Sequence, residues 1–406
     1  MMRRLPTLPG VRPGSISVLA TACGVMVGNI YICQPLLAQM AQQFGIAEKA
    51  ASLVAVATQV GYAFGILLIV PLADMAKPAL LVRSLMALTA LGLIAAALSP
   101  NVPVLLITSV CFATVTVIPQ ILMPLAPTLV APEHRGRSVG ALATGLVLGI
   151  LLSRTIAGAV AGFSGTWRAP YALAALLTMI LFFVVPRFLP EARKDQTAQR
   201  YRDLLASLPS LLRHRPLLLS MGMNFCIFGA FSAFWATLAF HLETPPFALG
   251  PTAVGLFGLW GAPGALIAPV AGRLSDRWGS APVNAAGLCA TAISFALAGT
   301  WGATSIIGMV AAVNFLDFGL QSGQVANQTR IFGIGDAIRG RLNTIYMAAS
   351  FSGGAIGALA GGLAWTSGGW PGVCLLGGAM TLTAAIMLAA NTLATLRVAP
   401  QQSDAE

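Results

Sequence analysis

The sequence predicts an all-α membrane protein with twelve transmembrane helices, arranged as two pseudo-symmetric six-helix bundles. Composition, the length of the apolar runs and an internal repeat support this fold class. The chain has 406 residues, of which 57% are hydrophobic and only 9% are charged, and its mean hydropathy is +0.83. Such a chain is far too apolar for a soluble protein, so we expect a polytopic membrane protein.

Apolar runs long enough to cross a bilayer occur along the whole chain. A helix needs about 20 apolar residues to span the hydrocarbon core, and segments rich in Gly, Pro, Ser or charge separate such runs. We expect the first run to be a retained helix, because it is too long for the apolar region of a signal peptide. The predicted spans are residues 15–38, 50–73, 79–98, 102–125, 138–162, 169–189, 216–241, 251–274, 281–300, 304–332, 340–365 and 370–391.

The distribution of basic residues predicts the orientation. The chain contains 23 Lys and Arg residues, and all except Lys49, Arg154 and Arg168 fall on one side of the predicted spans. Cytoplasmic loops carry such an excess. We therefore expect a cytoplasmic (inner) membrane protein with both termini in the cytoplasm. The net charge of +11 is explained by this topology, so no nucleic-acid partner is expected.

The two halves of the chain repeat. The Arg-Gly-Arg motif at 135–137 returns at 339–341, 204 residues later, and Asp74 returns as Asp276, 202 residues later. Each pair falls at the same place in its half. Repeats in this parallel arrangement imply two bundles related by an axis along the membrane normal, with a binding site between them near the midplane. This architecture is typical of transporters.

A polar segment divides the repeats. We predict an N-terminal six-helix bundle at 1–190, a cytoplasmic linker at 191–215 and a C-terminal six-helix bundle at 216–406. Leucines recur at helical spacing among arginines in the linker. Two interpretations of the linker remain open. It forms a short helix that lies on the membrane surface, or it is a solvated linker with a helical turn.

Several motifs resemble those of a known family. The segment GRLSDRWG at 272–279 resembles the signature after the second helix of each half in the major facilitator superfamily. The stretches GNIYICQPLL, TQVGYAFGILLIVPLAD, VIPQILMPLAP and NQTRIF followed by RGRLNTIYM resemble a bacterial branch grouped with the drug:proton antiporters. The resemblance implies a twelve-helix transporter that exports small molecules. The N-terminal copy of the signature departs from the pattern, with Pro71 in place of glycine and Met75 in place of arginine.

Charges beside the signature and the Arg-Gly-Arg motifs are candidates for a conformational latch. A carboxylate such as Asp276 can accept hydrogen bonds from the N–H groups that start the next helix, and it can pair with an arginine. The alternative is a set of solvated loop charges. The latch candidates are Asp74, Lys77, Arg135, Asp276, Arg277 and Arg339.

Two charged residues lie deep inside predicted spans, away from the span ends. Arg154 lies in the glycine-spaced apolar stretch 140–162, and Asp317 lies in helix 10. Lipid cannot solvate either charge, so both must face other helices or an internal cavity. Asp317 is the candidate for proton coupling, and its alternative is a permanently paired structural aspartate. Arg154 is a counter-charge for Asp317, a ligand for an anionic substrate, or a structural link between the bundles.

Polar residues on other helices are candidates for the lining of a substrate cavity. Any one of them is also explained by a hydrogen bond between helices, but they occur on the helices that line the cavity in the resembled family. The candidates are Asn29, Tyr31, Gln34, Gln59, Tyr62, Gln120, Asn314, Gln321 and Gln324. Helix 7 adds Phe225, Phe228, Phe231, Phe234 and Trp235, which suit an apolar wall, ordinary packing or lipid contact.

Glycines and prolines predict where the helices approach and bend. Glycines spaced by four residues permit close backbone approach, and we expect them where one bundle slides against the other. Pro263 predicts a kink in helix 8. The glycines are Gly145 and Gly149 in helix 5, and Gly353, Gly357 and Gly361 in helix 11.

Missing motifs narrow the function. The sequence has no GxxxxGK[ST] loop for nucleotide, no metal-ligand spacing and no nucleophile motif, so we expect neither an enzyme nor a cofactor. We predict a monomeric secondary active transporter in the lipid bilayer, which uses the proton gradient to export a small organic molecule. The alternatives are uptake, uncoupled facilitation, or a sensor built on the same scaffold that does not transport.

Overall fold

The computed structural model describes residues 15–190, 201–335 and 338–398. These residues include 11 helices that are long and apolar enough to cross a membrane. The last helix, Arg339–Val398, reverses at Gly369, where φ is 58° and ψ is −153°. Beyond the reversal, a β-carbon on Gly372 would lie only 2.7 Å from the carbonyl oxygen of Ala364. This helix is therefore an antiparallel pair, and the twelve predicted spans are confirmed.

We label the spans α1 to α12 in chain order. The first six are α1 (Ser15–Phe44), α2 (Glu48–Asp74), α3 (Pro78–Ala97), α4 (Val102–Leu129), α5 (Arg135–Ser164) and α6 (Arg168–Phe188). The next four are α7 (Arg215–Glu243), α8 (Pro251–Trp278), α9 (Ser280–Gly299) and α10 (Ile306–Phe332). The last two are α11 (339–368) and α12 (370–398). The predicted domain limits at 1–14 and 399–406, and the linker residues 191–200, lie outside the described residues.

Several spans are interrupted where proline or glycine occurs. In α1 a short 3₁₀ turn at Gln34–Leu36 follows Tyr31, and in α4 a new helix starts at Ile118, next to Pro119. Helix α8 breaks at Gly261 and again after Ala265. Proline has no N–H group and cannot continue the hydrogen-bond ladder. The predicted kink at Pro263 is confirmed.

The glycines of α5 and α11 hold each half together, which corrects their predicted role. Gly149 meets the backbone of Gly24 on α1, so this contact lies inside the N-terminal half. Gly357 meets the backbone of Gly229 on α7, inside the C-terminal half. Gly145, Gly353 and Gly361 likewise contact α1 or α7. The α1–α5 and α7–α11 pairs thus correspond to each other in the two halves, and neither is a sliding surface between bundles.

Other residues join the two halves, and two of these contacts define one end of the molecule. Thr155 Oγ1 donates to the carbonyl oxygen of Gly255 at 3.0 Å, where α5 and α8 approach backbone to backbone. On the other seam, Trp365 Nε1 of α11 donates to the Glu48 carboxylate of α2. We call this end the far face. The opposite end, marked by Lys77, Arg135, Arg277 and Arg339, is the basic face.

The linker packs against the helices at the basic face. Its helix Tyr201–Ser207 continues into a 3₁₀ turn at Pro209–Arg213. Leu204, Leu208 and Leu211 are buried in the protein. The described part of the linker is therefore neither a lipid-facing helix with its leucines in the membrane nor a fully solvated tether.

The tight α1–α5 contact predicts a position-specific effect of an added methyl group. Gly149→Ala would drive a β-carbon into the backbone of Gly24, so we expect it to destabilise the protein by about 1–3 kcal/mol through overpacking. Gly140→Ala on the same helix is the matched control, because no atom lies within 4 Å of its β-carbon position. Thermal unfolding in detergent measures both variants, and equal melting temperatures would contradict the packing described here.

Candidate functional site

A cavity of about 940 Å³ lies between the two halves. It extends from the middle of the helices to the basic face, where Asp74, Arg339 and Arg341 stand at its mouth. The linker residues Leu204 and Leu208 also form part of its wall. The contacts between the halves at the far face close its other end. The cavity is therefore shared by both halves and, as far as the described residues go, reaches the basic face alone.

Arg154 is buried at the inner end of this cavity with only 1% of its surface exposed. Its Nε donates to Oε1 of Gln34 at 2.7 Å, whereas Nη1 and Nη2 have no hydrogen-bond partner. Arg154 is not part of the cavity wall, but its neighbours Tyr31 and Phe231 are. The guanidinium thus lies one side-chain layer behind the wall.

Aromatic rings from both halves surround the guanidinium. Its Cζ lies 3.8 Å from the ring centroid of Trp235 and 5.3 Å from that of Phe231, both on α7. Tyr31, on α1, is 5.0 Å away. Each cation–π contact stabilises a desolvated cation by up to about 2 kcal/mol. Arg154 belongs to the N-terminal half, so its stacking on Trp235 links the two halves.

Asp317 forms part of the cavity wall and is 4% exposed. Its Oδ2 is buried without a hydrogen-bond partner. The oxygen lies against Gly261, where a β-carbon would be 2.5 Å away. Asp317 and Arg154 are close enough for Coulombic attraction. Oppositely charged groups from different halves are therefore brought together without satisfying each other's hydrogen bonds.

Some of the polar residues singled out from the sequence line this cavity. Gln120 on α4 donates through Nε2 to the hydroxyl of Tyr62 at 3.5 Å, and Tyr62 packs on Phe351 of α11 with ring centroids 4.4 Å apart. Gln321 and Gln324 follow Asp317 along α10. The candidates in the wall are Tyr31, Tyr62, Gln120, Asp317, Gln321 and Gln324.

The structure places the other polar candidates away from the wall. Asn29 donates to Thr116 and Thr178, each at 3.5 Å, and so joins α1 to α4 and α6. Asn314 accepts from the N–H of Gly264 at 3.1 Å and donates to the carbonyl oxygen of Trp260 at 2.8 Å, where it secures the break in α8. Gln59 is buried in α2. Gln34 accepts the hydrogen bond from Nε of Arg154.

The latch candidates all lie at the basic face. Asp74 and Arg339 stand at the mouth of the same cavity, and the guanidinium of Arg339 lies 5.3 Å from the ring of Phe332. Asp276 and Arg277 are exposed at the end of α8, and Lys77 and Arg135 are exposed as well. One latch candidate from each half thus stands at the mouth of the cavity, and the latch stays a prediction.

Two polar residues of the site were not expected from the sequence. Asn224 on α7 and Ser350 on α11 both line the cavity and are joined by a hydrogen bond. Among the helix 7 aromatics, Phe228 and Phe231 line the cavity, whereas Phe234 packs on Trp370 with centroids 5.3 Å apart. No sequence signal separated these roles, because all five aromatics follow one helical repeat.

Comparison with known proteins identifies the family. Residues 19–326 match the model of the Major Facilitator Superfamily. The chain is 37% identical over 371 residues to the uncharacterized transporter YgaY of Escherichia coli O157:H7, which covers 91% of this chain and 93% of that protein. It is also 33% identical over 367 residues to a probable transporter of Streptomyces coelicolor, which covers 90% of this chain and 84% of the relative.

Solved structures agree on the fold. A mutant of the nucleoside transporter NupG superposes with a TM-score of 0.71 at 14% identity, covering 93% of this chain and 98% of that one. A bacterial homologue of the human lysosomal transporter Spinster, in an inward-facing and unoccupied conformation, gives a TM-score of 0.70 at 14% identity, covering 94% and 96%. With twelve spans in two halves around one cavity, the chain belongs to the major facilitator superfamily and is a multi-pass membrane transporter.

Proposed function

We propose that this transporter exports a small organic molecule in exchange for protons, by alternating access between two halves that rock about the central site. The observation that carries the proposal is Asp317, a carboxylate in the wall of a cavity between the halves with an unpartnered oxygen. Membrane-embedded carboxylates are costly and commonly serve as proton relays. No other acidic residue lines the inner part of the cavity among the described residues.

The orientation rests on the distribution of basic residues. Nearly all Lys and Arg residues in the described part of the chain lie at the basic face, which the positive-inside rule assigns to the cytoplasm. The cavity then reaches the cytoplasm, and the far face is closed toward the outside. We accordingly propose a monomer in the cytoplasmic membrane with both termini inside, driven by the proton gradient. Resemblance to the drug:proton antiporter branch favours export.

The exchange follows from competition for one carboxylate. A deprotonated Asp317 attracts substrate entering from the cytoplasm, and a proton arriving from the outside neutralises the carboxylate and releases the substrate. Arg154 supplies the opposite charge close by, so an empty and unprotonated site is not left with one uncompensated charge. Asp317 therefore holds either a proton or a substrate, with Arg154 as its permanent electrostatic partner.

Removal of the Asp317 carboxyl group should uncouple proton movement from substrate transport. We expect Asp317→Asn in proteoliposomes to reduce substrate-dependent proton flux by at least about 10-fold, because the amide cannot carry the proton. The assay encloses a fluorescent pH indicator and adds amino acids, nucleosides, organic amines and carboxylates in turn. Asp203→Asn, an exposed linker acid, is the matched control.

Three outcomes would contradict the proposal. Full gradient-driven flux in Asp317→Asn would exclude Asp317 as the coupling residue. Solute flux without any proton movement in the wild type would indicate an uncoupled facilitator. Tight ligand binding without flux would indicate a sensor.

Alternating access requires the far face to open. A β-carbon on Gly162 of α5 would lie 3.2 Å from Cβ of Thr252 on α8, so cysteines at both positions are close enough for a disulfide in this conformation. In a background without the native cysteines, we expect oxidation of Gly162→Cys/Thr252→Cys to stop transport, and a reductant to restore it. Each single-cysteine variant is the control. Unchanged transport by the fully cross-linked protein would show that these helix ends do not separate.

A further inference from the structure

Unpartnered hydrogen-bonding groups of opposite charge lie in the wall of the inner end of the cavity and directly behind it, among the residues that the structure describes. Nη1 and Nη2 of Arg154 and Nε1 of Trp235 are donors without an acceptor, and Oδ2 of Asp317 is an acceptor without a donor. Arg154 and Asp317 are each more than nine-tenths buried. Buried charges without hydrogen bonds are costly. A ligand that brings both an acceptor and a donor would remove both costs.

Helix α8 packs against both charged residues. A β-carbon on Gly258 would lie 2.9 Å from Cβ of Arg154, and one on Gly261 would lie 2.5 Å from Oδ2 of Asp317. These glycines are three residues apart and share one face of the helix, about 4.5 Å along its axis. The Cβ of Arg154 and the carboxylate of Asp317 thus pack beside neighbouring turns of one helix, so α8 contacts both charged residues.

The charge of the ligand can be inferred by asking which hydrogen-bonding groups of the protein each class of ligand would leave without a partner. An organic cation would donate to Asp317 but would leave the donors of Arg154 without an acceptor. An organic anion would satisfy Arg154 and leave Asp317 facing a second negative charge. A zwitterion satisfies both, with its carboxylate on the guanidinium and its ammonium on Asp317.

The rest of the ligand must suit the cavity wall. Beside Asp317 the wall is formed by Tyr31, Phe228, Phe231 and Leu320, with glutamine side chains further along α10. Aromatic and aliphatic side chains favour an apolar body. The wall therefore fits a ligand whose charged end points inward and whose apolar side chain lies in the cavity.

We propose that the site binds a small zwitterion of the α-amino-acid type with an apolar or aromatic side chain. This inference rests on the proposed function and names its substrate class. The carboxylate reaches Arg154 by displacing the side chain of Tyr31 or Phe231, which separates the guanidinium from the cavity. Protonation of Asp317 removes the partner of the ammonium group, so the zwitterion is released while the proton is bound.

Three probes that share one ring separate the charge classes. L-Phenylalanine has both charges, 3-phenylpropionate has only the carboxylate and 2-phenylethylamine has only the ammonium. Calorimetry on the purified full-length protein in lipid nanodiscs measures their affinities. We expect L-phenylalanine to bind at least about 10-fold more tightly than either analogue, because each analogue leaves one buried charged group without its hydrogen bonds.

Paired variants assign each charge to its residue. Arg154→Gln should remove the advantage of L-phenylalanine over 2-phenylethylamine, and Asp317→Asn should remove its advantage over 3-phenylpropionate. Arg202→Gln and Asp203→Asn change the same charges on the exposed linker helix and should leave the wild-type order intact. Arg154→Lys, which retains the positive charge, should keep part of the preference and serves if Arg154→Gln fails to fold.

The results distinguish this inference from the proposed function. Equal affinity for L-phenylalanine and 2-phenylethylamine, unchanged in Arg154→Gln and Arg154→Lys, would overturn the zwitterion while leaving proton coupling by Asp317 intact. Lack of L-phenylalanine binding at millimolar concentration would also overturn it. Selective L-phenylalanine binding without proton flux would support the ligand class and contradict proton-coupled export.

Discussion

The charge of Arg154, buried where neither water nor lipid can solvate it, is the constraint around which the centre of this protein is organised. Its surroundings compensate for the burial only in part. Gln34 accepts a hydrogen bond from one N–H group of the guanidinium. The rings of Trp235, Phe231 and Tyr31 face the guanidinium. Glycines on α8 let that helix approach. Four helices from both halves are therefore fixed relative to one side chain, which leaves two terminal nitrogens for function.

The overall architecture was predictable because the bilayer imposes it. Every crossing needs a long apolar run, so twelve spans could be counted from the sequence, and the reversal at Gly369 follows the short Gly- and Ser-rich junction. Arg154 and Asp317 were also recognisable, because a charge within such a run is conspicuous and costly. The sequence could not show that the terminal nitrogens of Arg154 and Oδ2 of Asp317 are left without hydrogen-bond partners among the described residues, since that depends on how helices from separate halves meet.

Which uncharged polar residues face the cavity was not predictable. Gln120 lines the cavity, whereas Asn314 secures a break in α8, yet both are single polar residues in apolar helices. Their roles depend on the rotation of each helix about its axis, which tertiary packing decides. The packing partner of each glycine was likewise not predictable. Gly149 fastens α5 to α1, and Gly158, nine residues further along the same helix, meets α8 across the interface.

The linker has a consequence for how this protein can be divided. Leu204 and Leu208 belong both to the peptide that connects the halves and to the wall of the cavity, and the hydroxyl of Tyr201 is held by the carbonyl oxygen of Leu68 on α2 at 2.7 Å. The halves are therefore not interchangeable modules on a passive tether. A split version, a circular permutation or a fusion inserted at this point would reshape the substrate pathway as well as the connection.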